Sequence, residues 1–233
     1  MDNSIFERTI GLIGEDKFSK IAAKTIAIFG LGGVGGTCFE SLVRTGFKHF
    51  IIVDFDNVDA SNLNRQILYT RKDIGHSKVE CAKMRALEIN PDCSIVSLNS
   101  KASADFLKNL DIYPIDFMID AIDDTDAKIA LAKYAGERDI PFIMSLGMAN
   151  RYDVDKVCVT KLNKTTQDPL AKKMRYELKK NDVDISKIDV VFSNEEPLVR
   201  GEKLQSVMFT PSAAGLNISS FVLKYFINKW NEL

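Results

Sequence analysis

The stretch Ile26-Ala27-Ile28-Phe29-Gly30-Leu31-Gly32-Gly33-Val34-Gly35 decides the fold of this 233-residue chain. A strand-like apolar run feeds straight into Gly-x-Gly-x-x-Gly, and helix-like sequence follows. That order sets backbone N–H groups and the positive end of a helix dipole against phosphate. Gly30 permits the tight turn, Gly32 and its neighbour Gly33 let the backbone approach phosphates, and Gly35 lets helix and strand pack closely. Asp54 ends the next apolar run and suits hydrogen bonding to ribose hydroxyls, with Asp56 as a second candidate. The competing reading of Asp54 is an aspartate that merely ends a strand in a turn.

Outward from that loop, apolar runs and helix-like segments alternate. The pattern predicts strands over residues 25–30, 50–54, 94–98, 116–121 and 142–146, with helices over 33–45, 77–90, 102–110 and 124–138. The runs are nearly continuous in apolar character, as in a sheet covered on both faces. The last third predicts strands over 156–162, 189–193 and 206–210, and a helix capped by Asp168 with Pro169 at its first position, running to about 180. A final amphipathic helix is predicted over 211–230. Its small residues Ser212, Ala213, Ala214 and Gly215 would admit the sheet, a second subunit or the nucleotide loop. The fold class is therefore α/β: a Rossmann-like, doubly wound, mainly parallel sheet with helices on both faces and a C-terminal α+β extension. One domain is expected over 1–233, its nucleotide-binding part at 1–150 and its substrate and dimer extension at 151–233.

Composition narrows the function classes. The net charge of −1 excludes a molecule that binds nucleic acid by overall charge, so an acidic partner needs a local patch. Residues 161–180 supply one, with seven lysines and arginines, among them Lys172, Lys173 and Arg175, against only Asp168 and Glu177. A solvated helix face is the plainer reading of the same residues. The four cysteines, Cys38, Cys81, Cys93 and Cys158, form no Cys-x-x-Cys pair, which argues against structural zinc and for small apolar side chains in the core. Residues 1–14 lack a signal-peptide core, and the apolar stretch at 218–230 is interrupted by Lys224 and Lys229. A cytoplasmic, reduced setting with no membrane span is expected.

A dinucleotide oxidoreductase needs the glycines and Asp54 but has no evident use for Arg65 and Lys78. Both are placed to return across the carboxyl edge of the sheet, where a guanidinium fork and an ammonium would offset phosphate charge. A surface ion pair is the alternative for Arg65. Lys78 opens a predicted helix, against the local dipole, which makes its position harder to explain by local preference. Among Asp120, Asp123 and Asp124, the last suits a helix cap and the first a buried brace. Asp123 is then the best candidate to hold Mg²⁺ against nucleotide phosphates.

The runs AIFGLGGVGG (27–36), IIVDFDNVDASNLNRQ (51–66), IGHSKVECAK (74–83), EINP (88–91) and FMIDAIDD (117–124) resemble the ThiF/MoeB superfamily of ubiquitin-activating-type adenylating enzymes. The resemblance implies that Asp54 binds ribose, that Asn62, Arg65 and Lys78 hold ATP phosphates, and that Asp123 is the magnesium aspartate. It also implies that Arg8 is the N-terminal arginine that enters a neighbouring subunit's ATP site. KTTQDPLA (164–171) and VFSNE (191–195) are similar to the tRNA threonylcarbamoyladenosine dehydratases, called TcdA or CsdL. That likeness implies ATP, Mg²⁺, a tRNA substrate modified beside the anticodon and a homodimer. A monovalent cation, K⁺ or Na⁺, is a further candidate ligand.

The rival reading is an adenylating enzyme for the C-terminus of a ubiquitin-like sulfur carrier. Such members usually carry paired zinc cysteines and often a catalytic cysteine in the later half, whereas no cysteine follows Cys158 here. Some dehydratases carry a C-terminal cysteine in a longer loop; its lack here counts against a sulfur-relay partner. An NAD-dependent oxidoreductase and a non-catalytic nucleotide-binding scaffold complete the alternatives.

Overall fold

The computed structural model describes residues 4–199 and 204–229. Seven strands form one sheet in the order β3-β2-β1-β4-β5-β7-β6. These are β1 (Thr25–Phe29), β2 (His49–Asp54), β3 (Ser94–Asn99), β4 (Phe117–Asp120), β5 (Phe142–Ser145), β6 (Val157–Lys161) and β7 (Asp189–Ser193). All neighbours run parallel except β6 and β7. Strand order reverses between β1, which continues to β2 and β3, and β4, which continues to β5. In a parallel sheet that point opens a crevice at the carboxyl ends of the strands.

Alternation along each strand feeds two cores. Ile26 and Ile28 of β1, Phe50 and Ile52 of β2, and Phe117 and Ile119 of β4 pack on one face. Ala27 and Phe29, Ile51 and Val53, and Met118 pack on the other. The first face is covered by α3 (Gly33–Thr45), α4 (Lys78–Ile89) and α8 (Phe209–Lys229), the second by α5 (Ala104–Lys108) and α6 (Thr125–Glu137). A third cluster joins α7 (Pro169–Lys180) to β5 and β7 through Met174, Leu178, Met144 and Val190. Two N-terminal helices, α1 (Glu7–Ile13) and α2 (Glu15–Ala22), were not evident in the sequence; Phe6, in the 3₁₀ turn before α1, and Phe18 of α2 stand 5.3 Å apart in the first core.

The expected strand at 206–210 is absent. Phe209 and Thr210 instead begin α8, because the run continues helically into Pro211 and the small residues behind it. The expected helix at 102–110 is only α5 followed by a 3₁₀ turn at Asn109–Ile112. Trp230, the expected end of the last helix, lies outside the described residues. No helix among the described residues is long and apolar enough to cross a membrane.

The small residues of α8 meet the helix that follows the nucleotide loop. A Cβ on Gly215 would stand 2.5 Å from the Val34 carbonyl oxygen and 2.8 Å from Thr37 Cβ. Neither neighbour can yield without moving α3. Gly11 on α1 has nothing within 4 Å of such a Cβ. Gly215→Ala should therefore cost about 1–3 kcal/mol in chemical denaturation, while Gly11→Ala should gain roughly 0.5–1 kcal/mol. Equal effects of the two substitutions would contradict this packing.

Candidate nucleotide and substrate site

The crevice at the strand-order reversal is a cleft of about 850 Å³. Its near wall is the glycine loop. Gly30 has φ +88°, and a Cβ there would meet the Ala121 carbonyl oxygen at 2.6 Å. A Cβ on Gly35 would overlap the Gly30 carbonyl. At Gly32 it would meet nothing nearer than Gln66 Nε2 at 3.8 Å, so that side is open toward the cleft. Gly33 begins α3, which aims its N-terminus into the same space.

The loop is held through Leu31. Its N–H donates to Asp54 Oδ2 at 2.7 Å, and its carbonyl accepts from the Tyr69 hydroxyl at 2.9 Å. Asp54 Oδ1 also accepts the Asp56 N–H at 2.9 Å. Both oxygens of Asp54 are thus engaged by backbone, and the residue is buried. Asp54 and Asp56 both line the cleft, and Asp56 Oδ2 accepts from Lys78 Nζ at 2.7 Å. Tyr69 had no signal beyond an aromatic residue near the motif. Its partner is a backbone carbonyl, which sequence does not reveal.

The structure brings most expected site residues to this cleft. Asn62, Arg65, Lys78, Asp56 and Asp123 line it. Arg65 Nη1 is steadied by the Ser61 carbonyl at 2.8 Å and Asn64 Oδ1 at 3.0 Å. The Asn62 side chain closes a capping box with Asp59. Asp124 caps α6 by accepting the Ala127 N–H at 3.0 Å, and pairs with Lys101. Asp123 is exposed at the rim beside it. Arg8 is exposed on α1 and is not part of its own chain's cleft. Arg175 is half-buried and its Nη1 donates to the Thr165 carbonyl at 3.0 Å and to the Thr165 hydroxyl, while Lys172 and Lys173 beside it are exposed.

The far wall comes from residues that follow β5. Gly147, Asn150, Arg151, Asp168 and Pro169 line it, with Val199 and Leu204. Asp168 caps α7, accepting from Leu170 and Ala171 N–H, and its other oxygen accepts the Gly147 N–H at 3.1 Å. Asn150, at φ +62°, bonds Gln205 twice at 2.7 Å and accepts the Leu198 N–H at 2.9 Å. Arg151 is buried and donates to the carbonyls of Gly147 and Glu195, while the Glu195 carboxylate takes the N–H groups of Tyr152 and Asp153. Cys38 is fully buried, and burial pushes its thiol up to about 12; the other three cysteines are half-buried.

Under the floor lies an ion pair the sequence did not disclose. Asp120, at the end of β4, and Lys128 on α6 are both inaccessible to water. Lys128 Nζ donates to Asp120 Oδ1 at 3.0 Å and to the Ser145 carbonyl at 2.7 Å, joining the ends of β4 and β5. Burial raises the Asp120 carboxyl's affinity for protons, and Lys128 opposes that shift. Removing one partner strands the other charge. Lys128→Met should cost about 3–5 kcal/mol in urea unfolding, and adding Asp120→Asn should recover most of it. An unrescued double variant would contradict this account of the pair.

Comparison with known proteins agrees with this architecture. The ThiF family model matches residues 6–193. The tRNA threonylcarbamoyladenosine dehydratase of Bacillus subtilis (strain 168) is 33% identical over 94% of this chain and 92% of its own length. The crystal structure of the Escherichia coli tRNA N6-threonylcarbamoyladenosine dehydratase in complex with ATP superposes with a TM-score of 0.93 at 31% identity, covering 99% of this chain and 96% of that one. The same enzyme in complex with AMP gives a TM-score of 0.93 at 30% identity, covering 99% and 97%. The chain belongs to the ThiF family, within its branch of tRNA threonylcarbamoyladenosine dehydratases.

Proposed function

We propose that this chain uses ATP to dehydrate N6-threonylcarbamoyladenosine beside the anticodon of tRNA, by adenylating the threonyl carboxylate so that the side chain closes into a ring. The observation that carries the reading is a single cleft in which a phosphate-binding glycine loop faces Arg65 and Lys78 and continues into the wall at 147–151 and 168–170. Dehydratase relatives along nearly the whole chain support the same chemistry. We treat 1–233 as one adenylation domain, with 1–150 carrying the nucleotide and 151–233 the substrate.

The first step joins two anions. A carboxylate oxygen bonds to the α-phosphorus and the bond to pyrophosphate breaks. Catalysis is then mostly positioning and charge neutralisation. The N–H groups of the loop and the N-terminus of α3 face the phosphates, with Asn62, Arg65 and Lys78 as their side-chain ligands. Lys78 shares a wall with Asp54 and Asp56; we assign Asp54 to the ribose hydroxyls, with Asp56 as the second candidate, and Asp54 also keeps the loop in shape. In the second step a nitrogen or oxygen of the same side chain attacks the acyl carbon, loses its proton and expels AMP. The nucleophile is tethered, so holding the bent conformer supplies much of the rate.

Asp123 is the residue that would hold Mg²⁺, which when bound would screen the phosphate charge. Among the described residues no three His, Cys, Asp or Glu side chains group to bind a metal by themselves. That donor set fits an ion completed by phosphate and water oxygens. No residue is assigned to K⁺ or Na⁺. Arg8 acts, in this reading, in the cleft of a second copy within a homodimer. We infer a cytoplasmic setting, with which a tRNA substrate is compatible.

Incubation with ATP, Mg²⁺ and tRNA bearing the modified nucleoside should yield a nucleoside lighter by one water in mass spectrometry. Arg65→Ala and Lys78→Ala should each slow this by roughly 100-fold or more. No mass change would overturn the reading. Pyrophosphate exchange driven by a ubiquitin-like carrier, and not by modified tRNA, would favour the sulfur-carrier alternative. Reversing Lys172 and Lys173 to Glu should weaken tRNA binding, most visibly at low salt, and spare ATP binding. Unchanged tRNA affinity at low salt would remove these lysines from the interface.

A further inference from the structure

α7 has two faces. Ala171, Met174 and Leu178 are buried in the third core cluster. On the other side Lys172, Lys173, Tyr176 and Lys180 follow Pro169 at intervals of three, four, seven and eleven residues, which is one stripe of an α-helix. The stripe starts in the cleft, because Pro169 and the capping Asp168 line it. Asp168 fixes that start by accepting N–H groups from Leu170, Ala171 and Gly147.

Tyr176 is 67% exposed in the middle of this stripe. Lys172, Lys173, Lys179 and Lys180 around it are exposed as well, and the helix carries one carboxylate, the half-buried Glu177. A scattered surface aromatic needs no explanation. This one sits on a basic face that begins at the substrate side of the cleft. Lysines that neutralise phosphate, interleaved with a ring that offers a base a stacking plane, are the means by which unpaired RNA is held.

We propose that Tyr176 is a stacking platform for an unpaired base of the tRNA anticodon loop, with the four lysines on the flanking phosphates. The proposal rests on the tRNA reading above and adds the register of the RNA to it. A rise of about 1.5 Å per residue puts Tyr176 roughly 10 Å along the helix from Pro169. The stacked base is therefore a neighbour of the reacting nucleoside. Stacking there would keep the loop splayed and set which nucleotide reaches the cleft.

The test is fluorescence anisotropy with an anticodon stem–loop RNA and a blunt duplex of the same stem, on the full chain with ATP present. Tyr176→Phe should bind the stem–loop like the parent, and Tyr176→Ala should bind it roughly 5- to 100-fold more weakly. Duplex binding should be the same for both. Stem–loop affinity unchanged in Tyr176→Ala overturns the stacking role alone, as does an equal loss for the duplex or for Tyr176→Phe. A parent protein that does not bind the stem–loop overturns the stacking role and the tRNA reading together. Exposure makes misfolding improbable for either variant, and an unchanged ATP affinity confirms a folded cleft.

Discussion

The glycine loop keeps its shape through the backbone of Leu31, whose N–H and carbonyl are both claimed by buried side chains, Asp54 and Tyr69. A loop that offers its N–H groups to phosphate cannot use all of them internally, so its geometry must be fixed elsewhere. Leu31 supplies that fixed point, and its own side chain is fully buried. From there the constraint spreads. The left-handed turn at Gly30 presses against Ala121 at the end of β4, and Gly35 lets α3 rise directly over it. Gly215 then lets α8 close on α3. One peptide thus ties the β1–β4 crevice to α3 and to α8.

Charge is arranged around that rigid loop in two layers. The cleft carries Arg65 and Lys78, the residues proposed to meet the phosphates, with Asp54, Asp56 and Asp123 also lining it. Beneath it the Asp120–Lys128 pair ties β4 to β5 and keeps an ionic floor under a site that handles anions. The far wall is built differently, from Asp168, Arg151 and Asn150, which bond mainly to backbone. It shapes the space without adding net charge where a carboxylate substrate must enter.

Much of this was legible in the sequence, for a definite reason. A strand, a Gly-x-Gly-x-x-Gly turn and a helix are local, so Gly30, Gly32 and Gly35 declare themselves by spacing alone. The helix start at Asp168 and Pro169 is local too. Lys78 and Asp123 were candidates because each stands at or next to a helix start, and Arg65 because it lies in the turn that follows β2, where the parallel sheet sends its chain past one edge. What stayed hidden depends on partners far apart in the chain. The Leu31 N–H that Asp54 accepts, beside the ribose role proposed for it, is one such partner. The bond from Arg175 to Thr165 is another. Tyr69, Lys128 and Arg151 act through backbone carbonyls or a buried carboxylate, and carry no motif. The expected strand at 206–210 failed because local β preference yielded to the helix whose small face packs on α3.

The central claim is that the carboxylate of the nucleoside attacks the α-phosphorus of ATP and that AMP is the leaving group in ring closure. Oxygen-18 placed in that carboxylate reports on it directly. The bond to phosphorus is made by a carboxylate oxygen, and the later cleavage is between that oxygen and the acyl carbon. Mass spectrometry should find one labelled oxygen in the AMP released per turnover and none in pyrophosphate. Labelled AMP is the result this account predicts; unlabelled AMP, or label in phosphate or pyrophosphate, would contradict it.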